Sequence, residues 1–227
     1  MSDTKPTEAP NKYGRLLNET FMVSYLVLFG YTVITLIEAL RTTDTNVRHI
    51  MNIETAVSLV AGLVYGMFIE RVKQPTFDLK EIMPLRYLDW SITTPLLLLA
   101  VVLFYNKHSP VSYKVFGGIV GLNWAMLYAG YLGETGATSR FTGLWLGFAF
   151  FAALLALLYT VIPKGSPIAV FAVFAVIWSM YGVAYMFEDE ETKNITYNVL
   201  DVIAKALFGV VLWMYFGRVL SFKGGAQ

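Results

Sequence analysis

The segment YNVLDVIAKALFGVVLWMYF (197–216) holds a carboxylate, Asp201, and an amine, Lys205, four residues apart in an otherwise apolar run. On a helix that spacing puts both groups on one face. A second segment, RYLDWSITTPLLLL (86–99), sets Arg86, Asp89 and Thr93 at i, i+3 and i+7, again one face. Two anions and two cations sum to zero, which makes their joint burial tolerable. A buried lysine is the side chain that condenses with carbonyl compounds. The chemistry on offer is therefore a covalent imine held between carboxylates. Trp90 follows Asp89, and Trp178, Tyr181 and Tyr185 form an i, i+3, i+7 stripe in IWSMYGVAY (177–185). Such a stripe is ordinary packing in most helices. Beside a buried lysine it equally walls a slot for a flat conjugated ligand.

The elements that must position these groups are membrane helices. Hydrophobic residues make up 56% of the chain, charged residues 15%, and the mean hydropathy is +0.57, values a soluble domain rarely reaches. A bilayer core needs about 20 apolar residues per helix. Seven stretches qualify: 21–40, 50–69, 82–105, 113–133, 141–162, 167–187 and 194–219. Barrel strands would be about half as long and would alternate. The expected fold is an all-α membrane protein, a seven-transmembrane-helix bundle. Residues 1–20 are expected to form an exposed N-terminal tail, 21–219 the bundle and 220–227 a cytoplasmic tail. The polar first 20 residues contain no apolar signal core.

Basic residues set the expected orientation. One side of the bundle carries Arg41, Arg48, Lys107, Lys114, Lys164, Arg218 and Lys223 against a single acid, Asp44. The positive-inside rule makes that side cytoplasmic, with the N-terminus outside and the C-terminus inside. A formal net charge of +1 offers no field for nucleic acid. The chain has no cysteine, which excludes thiolate chemistry, and its two histidines, His49 and His108, fall in polar connections. No metal site is expected.

Subtracting the connections leaves Glu38, Glu54, Arg86, Asp89, Asp201 and Lys205 at membrane depth. Ionisable groups there are costly and usually line a cavity, pair together and carry function. A single pair is as readily a structural brace; six groups over four helices argue for function.

RYLDWSITTPLLLL, IWSMYGVAY and LDVIAKALFG (200–209) together resemble the third, sixth and seventh helices of microbial rhodopsins. The resemblance implies all-trans retinal bound covalently to Lys205 as a protonated Schiff base. It makes Asp89 the primary counterion and proton acceptor, Asp201 the second counterion, and Arg86 a modulator of the exit side. It places Trp90, Thr94, Leu97, Trp178, Tyr181 and Tyr185 around the polyene, with Met126 and Gly130 at the ring end. Thr93 would hydrogen-bond Asp89, and Tyr65 would sit near Asp201. Leu97 stands where green-absorbing proteorhodopsins have leucine, so green absorption is expected.

One departure bears on function. Bacteriorhodopsin-like pumps carry a reprotonating acid one and a half turns past the TTP step, and this chain has Ala100 there. RHIMNIETAVSLVAGLVYG (48–66) supplies Glu54 instead, on one helix face with Ser58, Ala61 and Tyr65. Eleven residues separate Glu54 from Tyr65, about 16 Å of helix, so Glu54 falls well to the inner side. The expected role is proton donor; the alternative is a hydrogen-bonded structural acid. TLIEALRTTDTNVRHIMNIETAVSLVAG (35–62) further resembles the pump-like viral rhodopsins of large DNA viruses of protists. That implies a Glu38–Arg48 pair at a cytoplasmic constriction and the centre of a homo-oligomer, a pentamer rather than a trimer. An interfacial ion pair is the equally good alternative.

The functional expectation is a retinal-binding photoreceptor acting as a light-driven outward proton pump, not an enzyme, in the plasma or an internal membrane of the host cell. A light-gated cation channel is the alternative, though Ala61 and Ala206 replace the glutamate and asparagine that channel-type relatives carry. A sensory rhodopsin is the third reading, and a retinal-free seven-helix transporter the rival from another class. Asp89 and Thr93 argue against sodium pumping, and Asp89 against chloride pumping. The acidic run Glu188–Glu191 is a solvated loop or a proton-release site. Asn18 and Asn194 head weak glycosylation tripeptides.

Overall fold

Short polar side chains mark where the helices start. Asp44 accepts hydrogen bonds from the backbone N–H groups of Asn46 and Val47. Ser112, Ser139 and Asp189 do the same for Lys114, Thr142 and Thr192. Each satisfies an orphan donor of a first turn. The two hydrogen bonds from Thr192 hold the Asp189 carboxyl below its usual range. The computed structural model describes residues 13–74, 76–106 and 111–216. Residues 1–12, Lys107, His108 and the end of the chain with Arg218, Lys223 and the 220–227 tail lie outside the described residues.

The helices are α1 (Arg15–Arg41), α2 (Thr45–Val72), α3 (Met83–Tyr105, entered through a 3₁₀ turn at Leu79–Glu81), α4 (Tyr113–Glu134), α5 (Arg140–Thr160) and α6 (Ala169–Tyr185). The seventh span has three parts: α7 (Glu190–Asp201), a π-helical turn (Val202–Leu207) and α8 (Phe208–Phe216). Each helix packs on its sequence neighbour and the seventh span returns to α1, so the helices close a ring around one core. The starts of α1, α3, α5 and α7 share one end of the bundle, the entry end. The α1–α2 turn and the end of α8 mark the opposite end.

The seven expected spans are all present, with shifted ends. Residues 15–20, expected in the tail, form the first turns of α1. Leu17 is fully buried and joins Phe21, Tyr65 and Phe68 in a core cluster, so apolar packing extends the helix beyond its lipid-soluble part. Among the described residues six spans, the seventh counted as Glu190–Val211, are long and apolar enough to cross a membrane; α6, with 17 residues, is shorter. Val33, Ile34, Leu63 and Val176 are each more than half exposed on the outer surface, as lipid contact requires.

Two local features hold the site's helices in register. Pro95 lies inside α3 and cannot donate to the carbonyl of Ser91. The indole Nε1–H of Trp124 on α4 takes that carbonyl instead, at 2.9 Å, so the proline break becomes a tie between helices. On α4 and α5 the small residues Ala129, Gly133 and Gly143 bring the backbones together. A Cβ at Gly143 would lie 2.9 Å from the Ala129 carbonyl oxygen and 3.1 Å from the Gly133 Cα. Gly143→Ala is therefore expected to destabilise the protein by about 1–3 kcal/mol, as overpacking does. A fall in melting temperature checks this; an unchanged value means the backbones separate freely.

Candidate functional site

The charged residues picked from the sequence converge. Lys205 sits in the π turn, where the Phe208 N–H bonds the Ile203 carbonyl five residues back, a winding frequent at functional sites. Its ammonium is 1% exposed, 2.5 Å from Asp89 Oδ2 and 3.4 Å from Asp201 Oδ1. Asp89, Asp201 and Arg86 are equally buried. The four form a neutral cluster on α3 and the seventh span, which is what lets charges persist in a dry interior.

The two aspartates are not equivalent. Asp201 is surrounded by donors: Tyr65 Oη at 2.8 Å, Tyr181 Oη at 2.9 Å, Trp90 Nε1 at 3.1 Å, Arg86 Nη1 at 3.3 Å and Lys205. Asp89 meets only Lys205, and its Oδ1 has no hydrogen-bond partner among the described residues. Asp89 thus has an oxygen open to a proton, whereas the Asp201 lone pairs are engaged. Thr93 corrects an expectation. Its hydroxyl donates to the Asp89 backbone carbonyl at 2.9 Å, not to the carboxylate, because a helical threonine readily bonds the i−4 carbonyl.

Arg86 points toward the entry end. Its Nη2 donates to Asn194 Oδ1 at 3.1 Å and Asn198 Oδ1 at 2.9 Å, and its guanidinium lies over the rings of Phe68 and Tyr197. Beyond it, Lys193 is 3% exposed and bridges Glu134 on α4 at 3.0 Å and Glu190 at 2.8 Å. The 188–191 acids are therefore not simply a solvated loop. Glu190 pairs with Lys193, Asp189 caps α7 and Glu191 accepts from the Gly14 N–H. Asn194 is buried against Arg86, which removes it as a glycosylation acceptor.

A cavity of about 120 Å³ runs from Lys205 and Ala204 toward α4 and α5. Trp90, Thr94, Leu97, Met126, Gly130, Trp178, Tyr181 and Tyr185 all line it. Tyr65 does not; it lies behind Asp201. The sequence reading missed Tyr87, Gly143, Gly147, Phe148, Phe151, Gly182 and Tyr197. Thr94 donates to the Trp90 carbonyl and accepts from Asn123 on α4. A Cβ at Gly130 would lie 2.8 Å from the Tyr87 hydroxyl, so bare glycine keeps that end open. A long, flat, apolar group tethered to the amine fits this slot.

At the other level of the bundle, Glu54, Ser58, Ala61 and Tyr65 are all fully buried, confirming one inward face of α2. Neither Glu54 carboxyl oxygen has a hydrogen-bond partner among the described residues. Glu54 abuts Gly209, one turn past Lys205. Glu38 and Arg48 do not pair within the chain: Arg48 is exposed and donates to the Thr42 carbonyl at 2.8 Å. That carbonyl, in the α1–α2 turn, offers the guanidinium a nearer acceptor.

A family profile described as "Bacteriorhodopsin-like protein" matches residues 15–218. The chain belongs to the bacteriorhodopsin-like family. This rhodopsin is 36% identical to the crystallised viral rhodopsin OLPVRII, covering 91% of this chain and all of that one, with a TM-score of 0.85. It is 27% identical over 194 residues to Archaerhodopsin-2 of Halobacterium sp. (strain aus-2), covering 75% of this chain and 73% of that protein. It is 26% identical over 184 residues to the green-light absorbing proteorhodopsin of Gamma-proteobacterium EBAC31A08, covering 70% and 71%. As a microbial rhodopsin it is a multi-pass membrane photoreceptor in a lipid bilayer, not an enzyme.

Proposed function

We propose that this rhodopsin binds all-trans retinal covalently through Lys205 and acts as a light-driven outward proton pump. The observation that carries the reading is the arrangement of three carboxyls around one amine. Asp201 is engaged by five groups, Asp89 meets the nitrogen through Oδ2 and keeps Oδ1 free, and Glu54 lies one turn to the other side. When bound, retinal supplies a light-driven isomerisation that changes the direction and proton affinity of the nitrogen it shares with Lys205.

The protein's own groups do the rest. Asp89 takes the proton from the Lys205 nitrogen across 2.5 Å. Asp201 keeps its charge, because Tyr65, Trp90, Tyr181 and Arg86 donate to it, and so holds the nitrogen's site negative. Arg86 links this pair to Asn194 and the entry end. Glu54 returns a proton from the opposite side. It is fully buried, with no partner for either carboxyl oxygen that meets hydrogen-bond geometry among the described residues, where an unpaired carboxylate is costly and the neutral acid is favoured. A permanent cation would cross this dry region unsolvated, which favours a pump over a channel.

Arg41, Arg48, Lys114 and Lys164 at the end opposite the entry end support an outside N-terminus. The membrane proposed is the plasma or an internal membrane of the host cell. The assembly proposed is a homo-oligomer, a pentamer ahead of a trimer, with Glu38 and Arg48 near its centre.

The test is light-driven pH change in a suspension of expressing cells. External acidification that an uncoupler abolishes supports the pump; under voltage clamp, a current that reverses with voltage identifies a channel instead. Glu54→Gln is expected to slow the return of the nitrogen's proton by about 100-fold or more, the scale of a lost general acid, and to make it depend on bulk pH. Flash photolysis reads this directly, and an unaltered recovery rules out Glu54 as donor.

A further inference from the structure

The face of α1 toward Glu54 is polar where lipid-spanning helices are usually apolar. Tyr31, Thr32 and Thr35 are all buried. The Thr32 hydroxyl donates to Ser58 Oγ at 2.9 Å, and the Thr55 hydroxyl donates to Thr35 Oγ1 at 2.9 Å. These two bonds pin α1 to α2 at Thr32 and Thr35, within about one turn of Glu54 along α2, and limit the freedom of the adjoining α1 backbone. Tyr31 directly precedes the first pinned residue, Thr32. It is 5% exposed, and its hydroxyl has no hydrogen-bond partner among the described residues.

A buried tyrosine hydroxyl and a buried carboxyl, both unpartnered, are uncommon enough to need an explanation. Both face the same spot. A Cβ built on Gly209 of α8 would run into the Tyr31 hydroxyl and into Glu54 Oε2. The two groups are therefore neighbours across a gap that exists because residue 209 has no side chain. Their placement falls outside the geometry of a full hydrogen bond in this resting arrangement, yet each group already feels the other electrostatically.

We propose that Tyr31 is the positioning residue of the proton donor: its hydroxyl closes onto the Glu54 carboxylate as that group gives up its proton, in the gap left by Gly209. The proposal rests on the reading of Glu54 as donor. The physical reason is simple. Glu54 as a neutral acid needs no partner, but the carboxylate left after transfer is buried and uncompensated. The Tyr31 O–H can donate to it, and a hydrogen bond to a charged acceptor is among the stronger ones. The hydroxyl stabilises the product of the transfer, and so eases the transfer itself. No bond other than the O–H bond of Glu54 breaks, and its proton goes to the Lys205 nitrogen.

The experiment uses the full chain reconstituted with retinal, with flash photolysis and light-minus-dark infrared spectroscopy on Glu54→Gln, Tyr31→Phe and Gly209→Ala. Tyr31→Phe removes only an unpartnered hydroxyl and keeps the ring's packing. It is expected to slow recovery about tenfold, the worth of one such hydrogen bond. It is also expected to shift the carboxylate band that Glu54→Gln abolishes. Gly209→Ala fills the gap, pushes the two groups apart and is expected to act in the same direction. If Glu54→Gln removes a carboxylate band and slows recovery while Tyr31→Phe changes neither, the Tyr31 proposal fails and the donor reading stands. If Glu54→Gln itself changes nothing, the donor reading fails and takes this proposal with it.

Discussion

Lys205→Ala is expected to leave a protein that stays colourless however much retinal is added. Among the described residues the lysine is the only amine that lines the slot, and a covalent link needs it. Visible absorbance after purification is the measurement, and a coloured Lys205→Ala protein would falsify the whole reading. Truncation also strips the cation from between two buried carboxylates, leaving Arg86 against Asp89 and Asp201. Removing one partner of a buried pair costs about 3–5 kcal/mol, so the single variant could be lost to misfolding. The double variant Lys205→Ala with Asp89→Asn restores neutrality, with Arg86 facing Asp201. It is expected to fold and to remain colourless, which separates loss of linkage from loss of structure.

Asp89→Asn alone is expected to keep colour and lose transport. Lys205 retains Asp201 at 3.4 Å as its counter-charge, so the cluster still holds an amine between donors and an anion. What vanishes is the one oxygen pair able to accept the nitrogen's proton. Light-driven acidification should fall by about 100-fold or more, in line with the loss of a general base, and flash photolysis should show no deprotonated state. Transport persisting in Asp89→Asn would shift the acceptor role to Asp201. That outcome would mean its five partners do not protect its charge.

How far the sequence reaches depends on the kind of residue. Charge inside an apolar span is legible without any structure, because burying it unpaired is so costly; Arg86, Asp89, Asp201, Lys205 and Glu54 were found that way and are buried, whereas Glu38, found the same way, is only half-buried near the end of α1. The third, sixth and seventh helices carry polar or aromatic landmarks, so their inward faces could be read. α5 carries none: it is apolar on all sides, and Gly143, Gly147, Phe148 and Phe151 line the slot without any periodic mark. Asn194, Tyr197 and Asn198 were within reach, since they lie four and seven residues before Asp201 or close to that spacing, on its face of the helix. Lys193 and Glu134 were missed because they sit at helix ends, where charges pass for solvated ones. Their burial is set by the meeting of α4 and α7, which no local pattern reveals. Thr93 shows the converse: the position was right, but a local backbone acceptor outcompeted the expected partner.

The brevity of α6 reaches beyond the protein. Its 17 residues rise only about 26 Å, while a bilayer's hydrocarbon layer measures about 30 Å. Ile168 and Met186 at its ends are apolar, exposed and helical in backbone, and add about 3 Å. A shortfall of about 1–2 Å remains, met by a slight thinning of lipid beside that flank, at a cost that grows with each ångström of mismatch. One side of the molecule thereby acquires a preference for slender membranes, and neighbouring lipids acquire a direction in which to sort around it.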